Sequence, residues 1–105
     1  MPEVVLCKDG MEVALESAEG LWVVLRDSQD KRILGRFEID ASELLSTIKG
    51  AISYQATDGL GNSVRFEGFN DRLKVRFDSG EHPPKLCQLE LDAVRSALRS
   101  IDVSV

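Results

Sequence analysis

Histidine and cysteine are scarce in this sequence, which removes most catalytic and metal-binding arrangements. The 105 residues include one histidine, His82, and two cysteines, Cys7 and Cys87. No Cys-x-x-Cys pair or paired zinc-ligand spacing occurs. His82 lies close to Cys87 in sequence, but no third group that would orient a thiol–imidazole pair is identifiable. We therefore predict no catalytic residue, no metal site and no cofactor, and we interpret both cysteines as buried thiols.

Long apolar runs and an excess of basic residues are also missing. No run approaches the roughly 20 apolar residues that a membrane helix needs, and the opening Met-Pro-Glu-Val-Val does not begin a signal segment. We therefore expect a cytoplasmic protein without a membrane contact. A net charge of −5, from 13 Lys and Arg against 18 Asp and Glu, excludes nucleic-acid binding by bulk electrostatics. Any such binding needs a local basic patch.

What the sequence does contain is a strand-to-helix junction that occurs twice. Residues 37–41 read Phe-Glu-Ile-Asp-Ala, and residues 89–93 read Leu-Glu-Leu-Asp-Ala. Alternating apolar residues are typical of a strand. The aspartates that follow, Asp40 and Asp92, are typical helix N-caps. The chain therefore predicts the same change of structure near the end of each half.

Four strand-like runs precede each predicted helix. The strands are 4–7, 12–16, 21–26 and 32–39 before a helix over 41–48, then 52–56, 63–68, 72–78 and 85–91 before a helix over 93–101, with Asp9-Gly10 as the clearest hairpin turn. Units of about 50 residues are too small to bury their apolar faces separately. We predict one α+β domain over residues 1–105, made of ββββα units 1–50 and 51–105. Its two antiparallel four-stranded sheets and two helices are related by a pseudo-two-fold axis.

This order of elements carries a family resemblance. A repeated ββββα unit resembles the fold shared by Whirly proteins, PUR repeats and the positive-cofactor type of transcriptional regulators. The segment 34–39, Leu-Gly-Arg-Phe-Glu-Ile, is similar to the Gly-Arg-Phe strand before the helix of PUR repeats. The resemblance implies a non-enzymatic domain that binds single-stranded DNA or RNA.

The second half offers a surface for such a ligand. Strand alternation directs a set of basic side chains to the outer face of its sheet, among Glu67, Asp78 and Glu90. Tyr54 or Phe69 would supply a ring on which bases stack. The predicted nucleic-acid-binding residues are Arg65, Arg72, Lys74, Arg76 and Tyr54. The alternative interpretation is a solvated face that keeps an edge strand from aggregating.

The first half offers a different surface, around the only tryptophan. Trp22 lies in Gly-Leu-Trp-Val-Val-Leu, residues 20–25, a run that is apolar on both faces of a strand and so predicts burial of both. On the outer face, Trp22 would be joined by Val5, Val24 and Leu34, and contiguous apolar residues there usually mark a protein interface. The alternative function is an acidic protein-interaction module, such as an inhibitor, an immunity factor or an assembly subunit. The face would be covered by a helix or by a second copy of the protein, and a homodimer through it is expected. The other interpretation is that Trp22 is a platform on which bases stack.

Overall fold

The computed structural model describes residues 3–7, 11–17, 19–49, 53–69, 71–80 and 83–100, without the side chains of 3–7 and 69. His82 and the turn predicted at Asp9-Gly10 lie outside these residues.

The described residues form two antiparallel sheets and two helices, so the predicted α+β class is confirmed. The first sheet pairs β1 to β4 in chain order and the second pairs β5 to β8. The elements are β1 Glu3–Cys7, β2 Met11–Ser17, β3 Leu21–Asp27, β4 Ile33–Ile39, α1 Ala41–Ile48, β5 Tyr54–Thr57, β6 Ser63–Phe69, β7 Arg72–Asp78, β8 Lys85–Glu90 and α2 Leu91–Ser100.

The inner faces of both sheets and the apolar sides of both helices enclose one core. Strand alternation in the sequence predicts a set of inward-pointing residues, and all of them are buried: Val13, Leu15, Val23, Leu25, Val64, Phe66, Leu73, Val75 and Phe77. Helix α1 packs on β5 and β6 of the second sheet, whereas α2 contacts β1 of the first sheet as well as β8. Each helix therefore connects the two halves of the chain.

The two strand-to-helix junctions differ in detail. At the first, the Asp40 carboxylate accepts hydrogen bonds from the amides of Ser42 at 2.8 Å and Glu43 at 3.3 Å, so the predicted N-cap is confirmed. At the second, β8 continues directly into α2, which begins at Leu91. Asp92 therefore lies within the first turn, and its prediction as the cap is wrong.

Cys87 is buried as predicted, but it is not the free thiol that we expected. Cys87 is buried, with 4% of its surface exposed, and it is disulfide-bonded. The only other cysteine in the sequence is Cys7, at the end of β1. Disulfides are rare in cytosolic proteins, so the cytoplasmic location stays a prediction from composition. Neither described helix has the length and apolarity that a membrane crossing requires.

Candidate functional site

The outer face of the second sheet brings the predicted basic residues together. In the register of the strands, Arg65 on β6 lies directly opposite Arg76 on β7. Farther along β7, Lys74 is opposite Glu67, and Arg72 is opposite Glu90 of β8. All four cationic residues are exposed. We call this surface, which carries Arg65, Arg72, Lys74 and Arg76, the basic sheet face.

Ion pairs on the basic sheet face are long and solvated. Arg65 Nη2 lies 3.6 Å from Glu67 Oε2, and Arg76 Nη2 lies 3.8 Å from Asp78 Oδ2, with all four side chains 42–50% exposed. Among the described residues, Lys74 forms no salt bridge. Exposed pairs of this kind contribute about 0–1 kcal/mol. The cations can therefore exchange these partners for another anion at little cost.

The structure adds Leu86 to this surface. Leu86 lies opposite Arg76 in the register of β7 and β8, and 54% of its surface is exposed. It lines a shallow depression of about 140 Å³ together with Arg65, Glu67, Lys74 and Arg76. Sequence reasoning missed this residue, although alternation from the outward Gln88 would have found it. Leu86 gives the face an apolar contact beside two guanidinium groups.

Tyr54, in contrast, does not belong to the basic sheet face, and its prediction as a base-stacking residue is wrong. Its ring stacks on the buried Phe66, with 6.1 Å between centroids and 14° between planes. Its hydroxyl accepts a hydrogen bond from the Asp40 amide at 2.8 Å. Because Tyr54 and Phe66 are opposite each other in the register, the tyrosine ring turns inward and supports the start of α1. The side chain of Phe69 lies outside the described residues.

The outer face of the first sheet is largely closed by its own side chains. Val24 is only 1% exposed, so its prediction as an exposed interface residue is wrong. Val24 lies opposite Arg36 in the register, and Trp22 is two residues before it on β3. The Arg36 guanidinium lies over the Trp22 ring, 3.9 Å from the centroid. Arg36 Nη2 is also 2.7 Å from Glu16 Oε1. The side chain of Val5 lies outside the described residues, and the predicted homodimer stays a prediction.

A buried acid strengthens this closed face. Glu12 accepts hydrogen bonds from Lys31 Nζ at 2.9 Å and Arg26 Nη1 at 3.0 Å, with 8% of its side chain exposed. The hydrogen bond from Lys31 is the main cause of its lowered pKa, and Arg26 adds to it against the opposing effect of burial. These charges satisfy one another, so they stabilise the sheet and do not form an open binding surface.

Leu34 lies elsewhere than predicted, in a cleft between the two sheets. The register shifts between Leu25 and Arg26, which pair with Gly35 and Ile33 respectively. Leu34 is the extra residue of this bulge, and bulges redirect side chains. The cleft has a volume of about 650 Å³ and is lined by Asp27, Arg32, Ile33, Leu34, Asn62, Phe77, Ser79, Pro83, Pro84 and Lys85.

No group of three or more histidine, cysteine or acidic residues within the described ranges is arranged to hold a metal ion. Comparisons of the chain with protein-family models, with curated proteins and with solved structures found no match. The resemblance to Whirly proteins and PUR repeats therefore stays a prediction from the order of elements.

Proposed function

We propose that this protein is a non-enzymatic binding domain whose basic sheet face binds single-stranded DNA or RNA. The observation that carries the proposal is the direct cross-strand pairing of Arg65 with Arg76. Like charges placed opposite each other destabilise a sheet, and a phosphate between the two guanidinium groups would relieve that repulsion through charge-assisted hydrogen bonds.

The remaining residues of the face extend this contact along one strand. Arg72, Lys74 and Arg76 alternate on β7, which separates them by about 7 Å each. A sugar–phosphate backbone that follows β7 would meet one cation after another, and Leu86 would contact a base beside Arg76. The four cations share this surface with the carboxylates of Glu67, Asp78 and Glu90, and Asp71 lies 3.9 Å from Arg72, so cations and carboxylates are equal in number. The affinity is therefore expected to be modest and sensitive to salt.

The proposal includes the pseudo-two-fold relation of the two ββββα units, but it assigns binding to the second unit alone. The corresponding face of the first unit is covered by Trp22, Arg36 and Glu16, which are already engaged with one another. The alternative of a protein-interaction module through Trp22 would require a partner to recognise this closed surface.

Fluorescence anisotropy with a labelled single-stranded oligonucleotide, titrated at several salt concentrations, tests the proposal. Each phosphate contact adds about −0.7 to the slope of log affinity against log salt. The variant Arg65→Ser/Lys74→Ser/Arg76→Ser should flatten the slope by about 2 and weaken binding across sequences.

A matched control keeps the change in net charge constant. Lys49, Arg99 and Arg32 lie at the end of α1, on α2 and just before β4, so none of them is on the second sheet's outer face. The variant Lys49→Ser/Arg99→Ser/Arg32→Ser should retain the wild-type slope. Equal losses in the two variants would mean that only bulk charge matters, and absence of binding at low salt would leave the basic sheet face as a solvated surface.

A further inference from the structure

The cleft between the sheets lies at the end of the molecule where neither helix begins. Strands β4 and β8 both start at this cleft, at Ile33 and Lys85, and both run from it into a helix at their far ends. The floor of the cleft is formed by Phe77, which is 6% exposed and packs edge-on against Phe37 with 6.3 Å between centroids. The cleft therefore opens directly onto the edge of the hydrophobic core.

Its rim is held in place by three turns, each fixed by an aspartate. Asp27 accepts a hydrogen bond from the Gln29 amide at 2.9 Å, Asp58 accepts one from the Leu60 amide at 2.8 Å, and Asp78 accepts one from the Gly80 amide at 2.9 Å. Asp58 also accepts a bond at 2.7 Å from the side chain of Asn62, a cleft residue. These bonds preorganise the opening before any ligand enters.

Two cations line the cleft without an ion-pair partner among the described residues. Arg32 and Lys85 form no salt bridge with a described residue. The pKa of the nearby Asp27 is lowered mainly by the hydrogen bond from the Gln29 amide, and the charges of Lys85 and Arg32 add to this effect. The Asp27 carboxylate is therefore committed to its own turn. Among the residues that line the cleft, two are cations and one is a carboxylate, although the net charge of the chain is −5.

Apolar residues form the rest of the cleft wall. Ile33 is 56% exposed at the cleft, beside Leu34, Pro83 and Pro84. A volume of about 650 Å³ lies within the range of roughly 300–1,000 Å³ that small-molecule sites occupy. An apolar wall next to two cations that form no salt bridge with a described residue is complementary to a molecule that is apolar at one end and anionic at the other.

We propose that this cleft binds a small amphiphilic anion, a carboxylate or sulfonate with an aliphatic or aromatic body. The body would lie against Ile33, Leu34 and Phe77, and the anionic group would lie between Arg32 and Lys85. This site is separate from the basic sheet face, because Lys85 is opposite the inward Phe77, whereas the next residue, Leu86, is opposite the outward Arg76. The two proposals can therefore fail independently.

Titration with 8-anilinonaphthalene-1-sulfonate, followed by its fluorescence, tests the site, with octanoate and octanol as competitors. We expect saturable binding of one probe molecule and displacement by octanoate well before octanol. The variant Arg32→Gln/Lys85→Gln should weaken both anions about tenfold or more, the loss typical of a charge-assisted hydrogen bond. The control Lys49→Gln/Arg99→Gln should bind them as the wild type does.

Methyl chemical shifts of Ile33 and Leu34 during the octanoate titration locate the bound anion. Shifts at these residues that saturate with the fluorescence support the proposal. Equal competition by octanol, retained affinity in Arg32→Gln/Lys85→Gln, or shifts confined to other residues would each overturn it. Binding of the single-stranded oligonucleotide should be unchanged in Arg32→Gln/Lys85→Gln, which keeps this test distinct from that of the basic sheet face.

Discussion

Replacing Gly68 by alanine is the sharpest test of how the two halves of the chain meet. Gly68 lies on β6, and an added Cβ would come 2.6 Å from the backbone carbonyl oxygen of Thr47 on α1. Contacts below 3.0 Å do not occur for real Cβ atoms, and a backbone atom cannot swing aside as a long side chain can. Helix α1 or strand β6 must therefore shift.

The expected cost follows from two opposing terms. Overpacking of a core typically costs about 1–3 kcal/mol, whereas the lower entropy of an unfolded chain with alanine returns about 0.4–1 kcal/mol. We expect Gly68→Ala to lower the free energy of unfolding by about 1–2 kcal/mol, which corresponds to a fall in Tm of about 5–10 °C. Urea denaturation followed by Trp22 fluorescence measures the difference. Gln88→Ala, at an exposed position of β8, is the control and should stay within about 0.5 kcal/mol of wild type.

A Gly68→Ala variant as stable as the wild type would contradict the close approach of α1 to β6. It would also contradict the exchange of helices between the halves, since this contact is where the first half's helix meets the second half's sheet.

Three further predictions concern caps, charge and cysteine. Asp40→Ala should lower the free energy of unfolding by about 1 kcal/mol because it removes the helix cap. Asp92→Ala should change it by less than about 0.5 kcal/mol. Equal losses of stability in urea denaturation would contradict the different starts of the two helices. Glu12→Gln should destabilise the protein at pH 7. The pKa of Glu12 is lowered from its ordinary 4.5, so the stabilisation is fully present above that value and is lost as pH falls through the folded-state pKa. The gap in free energy of unfolding between variant and wild type should therefore narrow as the pH falls below 4.5. A gap independent of pH would show that the charge of Glu12 is not what matters. Alkylation of the unfolded, unreduced chain followed by mass spectrometry should leave Cys87 unmodified, and modification there would mean that the disulfide is absent.

The fold class was predictable because its signals are local. Alternating apolar residues identified the strands. The inward residues of β2, β3, β6 and β7 were predicted correctly because side chains alternate between the two faces of a strand, so one apolar face is enough to assign every residue. Asp40 was found because an N-cap is read from adjacent residues. The same rule gave a wrong cap at Asp92. The internal repeat suggested that Asp92 corresponds to Asp40, but β8 continues directly into α2 at Leu91, so Asp92 is already inside the helix.

The positions of Leu34 and Tyr54 were not predictable because they depend on contacts distant in sequence. Leu34 is displaced by a bulge that is defined only by pairing with Leu25 and Arg26. Tyr54 is turned inward by Phe66 and Asp40, twelve and fourteen residues away. The cleft is formed by turns from both sheets, so no single segment contains its pattern.

The most informative distinction between the two sheets is invisible in the sequence, because both carry alternating charges on their outer faces. In the first sheet, Glu12 and Glu16 accept hydrogen bonds at 2.7–3.0 Å and are only 8% and 14% exposed. In the second, the pairs of Arg65 and Arg76 are longer than 3.5 Å and about half exposed. Removing one partner from a buried pair leaves an uncompensated charge, which is costly, whereas exchanging a solvated partner costs little. The same residue types therefore stabilise one sheet and remain available to a ligand on the other, which is why we propose nucleic-acid binding for the second sheet and not for the first.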